Sequence, residues 1–290
     1  MTEAPVRLGA RYAMPSRWKV ARLADAWEES PSARTLVLEV PGWPGHMAGQ
    51  HVDLKLTAPD GYTAERSYSI GGAATRSSLP DDATPAGDPA PSASAVGQDG
   101  GGPDGTGVTR VELTVQRVAG GEVSSYLTDG FSVGDTIEMR GPIGGWFVWS
   151  PERDAGTPVL LAAGGSGLVP LMAMLRTRRD VGDRTPFRLV YSVRRPEDRL
   201  YVDDLARLAA AQDGLDVQVL YTRSTPLGSM RGPGRLERRD LAAWGWPAEL
   251  DPACFVCGPT GFVEAVAKQL VSLGHDPARV KTERFGPASD

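Results

Sequence analysis

The chain has little that could hold a metal or a crosslink: two cysteines, Cys254 and Cys257, and three histidines, His46, His51 and His275, in 290 residues. Two cysteines cannot build a disulfide framework and fit a reducing compartment. Iron–sulfur centres usually take four thiolates, so neither a cluster nor a zinc site is expected on this chain. Long apolar runs are also missing. No stretch approaches the roughly 18 residues that span a bilayer. Residues 1–22 carry scattered charges and prolines but no apolar signal core, so a cytoplasmic location without membrane contact is expected. Basic excess is absent too: the net charge of −5 argues against a nucleic-acid binder, which carries a basic face.

What is present is ordinary for a globular protein, with 41% hydrophobic and 23% charged residues, and the length favours about two domains. The first half reads as short strands over 20–27, 33–40, 51–56, 65–70, 109–118 and 136–139, with near-alternating apolar residues and Gly and Pro turns between them. That pattern predicts a small antiparallel barrel. Residues 76–108 break it: the stretch is rich in Gly, Pro, Ala, Ser and Asp. Its five Asp and one Arg carry −4 of the net charge. Such a segment buries too little to offset its ordering entropy and reads as a disordered insertion in a hairpin. The second half alternates strands (158–163, 187–193, 215–221, 253–257, 280–285) with helices (169–178, 201–211, 260–273), which predicts a parallel sheet with crossover helices. The boundary is expected near 150–156, giving domains 1–150 and 151–290.

Four segments, 66–69, 164–167, 257–259 and 283–285, carry chemistry, with a further signal at 120–125. Arg66-Ser67-Tyr68-Ser69 ends a strand, and all four residues are read as cofactor-binding. A guanidinium there can pair with a phosphate, and Tyr68, on the same face as Arg66, offers a flat surface to a flavin ring. Ser69, at the strand end, can hydrogen-bond the reactive ring nitrogen. Downstream, Gly120-Gly121-Glu122-Val123-Ser124-Ser125 opens a short helix over 123–129, whose amides and serine hydroxyls suit a pyrophosphate. Simple capping by Ser124 is the competing reading.

With these residues the chain resembles the ferredoxin–NADP reductase superfamily over about 16–286, apart from the 76–108 insertion. Arg66, Tyr68 and Ser69 meet the family's Arg-x-Tyr-Ser/Thr flavin motif; Gly121 and Ser124 meet its phosphate turn; Gly141, Pro142 and Gly144 meet its Gly-Pro-x-Gly segment. The layout is most similar to the reductase portion of bacterial oxygenase reductases. The resemblance implies a flavin-binding barrel followed by a Rossmann-like nucleotide-binding domain.

Gly164-Gly165-Ser166-Gly167 follows an apolar strand and precedes a helix with Pro170 in its first turn. Glycines let a backbone approach a pyrophosphate, and the helix N-terminus favours its charge. The next strand ends in Tyr191-Ser192-Val193-Arg194-Arg195, and Tyr221-Thr222-Arg223 ends the one after. Arg at this strand end accommodates a ribose 2′-phosphate, so Arg194 and Arg223 point to NADPH, with NADH admitted. Cys257, Gly258 and Pro259 match the family's Cys-Gly-Pro motif, which implies a thiol beside the nicotinamide. Glu283 and Phe285 match its terminal carboxylate and aromatic, although residues 286–290 extend past the aromatic. Cys254 is read as core.

The expectation is therefore a monomeric FAD-dependent NAD(P)H oxidoreductase in which Ser69, Cys257 and Glu283 shape the transfer site. Its electrons would leave to a separate ferredoxin or iron–sulfur oxygenase partner. FAD is favoured over FMN by the turn at Gly121. A free-flavin or small-molecule reductase and a non-catalytic electron-transfer subunit are the alternatives.

Overall fold

The computed structural model describes residues 17–58, 60–75, 107–229 and 231–286. Almost all of the expected insertion therefore lies outside the described residues, as does the tail after Gly286.

Two sheets dominate. The first contains β1 (Lys19–Ser30), β2 (Ala33–Pro41), β3 (His51–Thr57), β4 (Thr63–Ser69), β5 (Val108–Gln116) and β6 (Thr136–Ile143), in the order β4-β3-β6-β1-β2-β5. All its pairings are antiparallel, and a bridge from Ile70 to Leu113 draws its two edges together into a barrel. Alternation fills the interior: Leu36, Leu38 and Val40 of β2 face Val111, Leu113 and Val115 of β5 in one core. A short helix, α1 (Glu122–Ser125), continues as a π-turn (Tyr126–Gly130). It plugs this core with Val123 and Leu127, followed by Phe131.

After the four-residue helix α2 (Pro151–Asp154) the chain changes architecture. β7 (Val159–Gly164), β8 (Phe187–Val193), β9 (Leu215–Tyr221), β10 (Ala253–Pro259) and β11 (Val280–Phe285) form a parallel sheet ordered β11-β10-β7-β8-β9. Helices α3 (Leu168–Asp180) and α4 (Val202–Ala210) cover one face. The other is covered by α5 (Arg238–Trp244) and α6 (Thr260–Ser272), through Leu241, Val263, Val266 and Leu270. Both expected architectures are present. Every residue of β7 is buried, as on a central parallel strand covered on both faces. α3 is buried almost all round, wedged between its own sheet and the barrel; Ala33, Ala48, Phe147 and Trp149 join its core from the barrel side.

Helix α5 is absent from the sequence reading. It is seven residues long, and only Asp240 and Leu241 are buried, so it has no apolar stripe to find. A reciprocal cap between Glu237 and Asp240 starts it, and Arg231 holds both oxygens of Asp240, at 2.9 and 2.8 Å.

Candidate functional site

The alternation of β4 sorts its motif. Arg66 and Tyr68 lie opposite Leu54 and Val52 of β3 and share a face. Tyr68 packs partly into the barrel core, and burial pushes its phenol up to about 12. Arg66 is exposed, with Nη1 donating to the Glu65 carbonyl at 2.7 Å. Ser67 departs from the expectation. It points to the opposite face, where its hydroxyl donates to Asp53 at 2.6 Å, and Arg140 donates to the same carboxylate at 2.6 Å. Its side chain is thus not brought to the site of its neighbours, as the two-residue period of a strand requires.

Ser69 ends β4 and crosses to the second sheet. Its hydroxyl donates to Glu283 Oε1 at 3.4 Å. Glu283 on β11 is in register with Cys257 on β10, which is in register with Ala163 on β7. Barrel strand end, carboxylate and thiol are thereby brought together at the carboxyl edge of the parallel sheet, where open α/β sheets bind ligands. Burial pushes the Glu283 carboxyl up to about 7, against the opposing effect of the Ser69 hydrogen bond. Its Oε2 is buried without a hydrogen-bond partner among the described residues. Such a group holds a proton near neutral pH and can then donate as well as accept. Cys257 is 1% exposed. Burial first, then the adjacent Glu283 charge, push its thiol well above the usual range. It is therefore protonated and no thiolate nucleophile.

The glycine turn and the Cys-Gly-Pro turn interlock. A Cβ on Gly167 would stand 2.1 Å from the Cys257 carbonyl oxygen; one on Gly164 or on Gly258 would stand 2.8 Å from the Phe262 ring. Gly167 is required by the close approach of the β10 backbone, whereas Gly164 and Gly258 make room for the Phe262 ring that lies over the junction. Gly165 differs. Its φ is +56°, and the nearest atom to an added Cβ is Gln116 Oε1 at 3.8 Å, so its outward side is open to a ligand. Ser166, half-buried, follows it, and α3 begins at Leu168 with its first-turn amides and dipole aimed at the same place. Phe262 escaped the sequence reading; its signal is an aromatic in the first turn of a helix, three residues after Pro259.

Ser192 is buried and in register with Gly164. Beyond it Arg194 and Arg223 are exposed, tied by an Arg223 N–H to Arg194 carbonyl bond of 2.9 Å. Neither makes an ion pair with another described residue, whereas Arg195 faces Glu197 at 3.9 Å. Phe285 is half-buried against the second core, in register with Pro259. At the other end of the barrel motif, Ser124 is already committed. Its hydroxyl accepts from Val118 N–H at 3.1 Å and donates to the Gly121 carbonyl at 3.3 Å. Ser124 thus closes the turn ahead of α1 rather than capping it, and the first-turn amides of Glu122, Val123 and Ser124 have no side-chain cap. Cys254 is buried in β10, its Sγ 3.8 Å from His275 Nδ1.

Residues 161–268 match the oxidoreductase NAD-binding domain and residues 103–148 the oxidoreductase FAD-binding domain. A glycine betaine monooxygenase reductase subunit of Pseudomonas aeruginosa is 31% identical over 178 residues, covering 60% of this chain and 47% of that protein. The flavohaem-like FAD/NAD-binding domain of nitric oxide dioxygenase from Vibrio cholerae superposes with a TM-score of 0.73 at 24% identity, covering 93% of this chain and 99% of that one. A cytochrome P450 reductase of Amycolatopsis superposes with a TM-score of 0.72 at 25% identity, covering 95% of this chain and 72% of the other. The chain spans about half the length of the curated relatives it matches. No helix among the described residues is long and apolar enough to cross a membrane.

Proposed function

We propose that this chain, which carries the FAD-binding and NAD-binding domains of an oxidoreductase and has the two-domain fold of the ferredoxin–NADP reductase superfamily, passes electrons from NADPH through FAD to a separate ferredoxin or iron–sulfur oxygenase component. The observation that carries this reading is the contact of Ser69 with Glu283 beside Cys257. It joins the end of the flavin-type strand to the ligand edge of the nucleotide-type sheet. The residues fit both groups: Glu283 Oε2 is buried with no hydrogen-bond partner among the described residues, and Gly165 presents a left-handed, open backbone.

When bound, the flavin supplies a two-electron acceptor that can release electrons singly. The chain supplies position and polarity. Tyr68 offers a ring face, Arg66 a cation and the α1 amides a pyrophosphate seat, which favours FAD over FMN. Gly165, Ser166 and the α3 N-terminus would hold the dinucleotide phosphates, and Pro259 and Phe285 would flank the nicotinamide. Glu283 holds a proton within reach of Ser69 Oγ, while the buried Cys257 thiol keeps water out. The domains are assigned to residues 1–150 and 151–290.

The relatives named as reductase subunits support an oxygenase-type acceptor. The arginines available to face an acidic ferredoxin are partly neutralised: Arg22 pairs with Glu39, Arg231 with Asp240 and Arg239 with Glu237. Purified protein is expected to be yellow, to release FAD on denaturation and to oxidise NADPH with a dye acceptor. Flavin-poor protein that turns over only with added flavin would replace this reading with a free-flavin reductase. Fully flavinated protein without turnover would favour a binding subunit.

The exposed pair Arg194 and Arg223 gives the coenzyme test. Replacing both by Ala is expected to raise KM for NADPH roughly 10- to 100-fold, the loss of one or two charge-assisted hydrogen bonds. KM for NADH should move less than about threefold. Equal changes for the two coenzymes would refute the 2′-phosphate assignment.

A further inference from the structure

The barrel and the nucleotide domain are also joined by a buried polar network outside the cofactor segments themselves. Its centre is Arg176 on α3, with a side chain 11% exposed. Nη1 donates to the Gly71 carbonyl at 2.8 Å and to Glu112 of β5; Nε donates to Asp204 of α4 at 3.1 Å, and Nη2 reaches the same carboxylate. One residue on, Thr177 Oγ1 accepts from Ala74 N–H at 2.7 Å. The guanidinium lies 4.9 Å over the ring of Tyr201.

Tyr201 closes a second circuit. Its hydroxyl bonds Thr114 of β5, which bonds Thr35 of β2 at 2.7 Å; Thr35 donates to Glu29 Oε1 at 3.1 Å, and Glu29 Oε2 accepts the Tyr201 backbone N–H at 3.0 Å. The circuit leaves the second domain through the side chain of one residue and returns through its backbone. It also accounts for the conformation of Tyr201, held at φ +52°, a region that non-glycine residues seldom occupy. Gly71 leaves space for this: a Cβ there would stand 2.7 Å from the Tyr201 hydroxyl.

The placement of this network gives it a consequence. Gly71 and Ala74 belong to the segment that leaves β4, two and five residues after Ser69. α3 begins directly after the Gly164–Gly167 turn, and Arg176 sits about 12 Å along it, at 1.5 Å per residue. One rigid helix therefore grips, in its second half, the segment that leaves the flavin-type strand, and carries the dinucleotide-type turn at its start. We propose that Arg176, with Glu112, Asp204 and Tyr201, is an interdomain clasp that sets the distance between the two cofactor sites. Arg176 and Tyr201 are positioning residues, acting through Gly71 and α3. The proposal rests on the redox reading above for its kinetic consequence but not for its mechanical one.

The test uses the flavin-loaded full chain and the variants Arg176→Ala, Arg176→Lys and Tyr201→Phe. Flavin bleaching is followed by stopped flow over a range of NADPH concentrations, and domain coupling by calorimetry. Arg176→Ala is expected to slow bleaching at saturating NADPH by roughly 100-fold, the scale of an ångström-sized misplacement. Its half-saturating NADPH concentration should stay within about twofold, and its single thermal transition should split in two. Lys keeps the charge without the planar fork, so it should recover only part of the rate. Tyr201→Phe, which removes one hydroxyl and guards against failure of the first variant to fold, should slow bleaching several-fold. An unchanged saturating rate in folded Arg176→Ala or Tyr201→Phe protein overturns the positioning role, whatever the calorimetry shows. If NADPH fails to bleach the parent's flavin, the redox reading falls instead, and calorimetry alone decides: split transitions support the clasp and an unsplit transition in Arg176→Ala overturns it.

Discussion

Replacing Glu283 by Gln is expected to make the variant gain about 3 kcal/mol over the parent between pH 4.5 and pH 8. The folded protein holds the Glu283 carboxyl up at about 7 rather than the usual 4.5 because it is buried. Below 4.5 the acid is protonated whether the chain is folded or not, and the group adds no pH dependence. Between 4.5 and 7 the unfolded chain releases this proton while the folded chain keeps it. The contribution to stability is therefore full at low pH and is lost as pH rises through the folded value. A rise of about 2.5 at 1.36 kcal/mol each gives the figure of about 3 kcal/mol. Gln has no such proton, so the difference between the two proteins isolates this group from every other carboxylate. Urea unfolding of both proteins at matched flavin content across the pH range measures it. A difference independent of pH would mean that Glu283 is ionised in the folded state and that the protonated-carboxyl description of the site is wrong. The same group should give flavin reduction by NADPH a pH dependence centred near 7 that the Gln variant lacks.

Gly167→Ala should be the most damaging single-methyl change in the nucleotide domain. The backbone of Gly167 has φ −60°, which any residue accepts, so conformation is not the obstacle. Space is: the new methyl would meet the Cys257 carbonyl oxygen at 2.1 Å and the Gly258 nitrogen at 2.7 Å. Those atoms belong to a strand paired on both sides and cannot retreat. Overpacking costs typically 1–3 kcal/mol and occasionally more; about 3 kcal/mol is expected here, a fall of roughly 6–12 °C in Tm. Gly165→Ala is the matched control. There the methyl has room, and the penalty is the left-handed backbone alone, about 1–2 kcal/mol. Its larger effect should be on NADPH, which it would keep from approaching the turn. If the two variants lose equal stability and equal NADPH affinity, the division of this turn into a packing glycine and a ligand glycine fails.

Much of the fold is legible in the residues because local periodicity and burial agree. β7 reads as an unbroken apolar run, β5 alternates, and α6 repeats its apolar residues at helical spacing. Helix α5 fails that test, since a seven-residue helix with one buried leucine has no period to detect. For the site, the motifs locate Ser69, Glu283 and Cys257 on their strands, but two side chains in those motifs are spent elsewhere. Ser67 is on the far face of β4, and Ser124 closes its own turn. Both outcomes follow from local geometry that a motif does not encode.

By itself, the amino-acid order determines which segments are strands and helices, that a barrel precedes a parallel sheet, and which short motifs could serve a flavin and a dinucleotide. Those properties depend on neighbours a few residues apart. Contacts between remote segments belong to the tertiary structure alone. It sets Ser69 against Glu283 across 214 residues, locks Gly167 beneath Cys257, and threads Arg176 and Tyr201 into the barrel. Burial at those meeting points, a long-range property of the packed chain, is what raises the Glu283 carboxyl to about 7 and makes one glycine of the turn a spacer and another an opening.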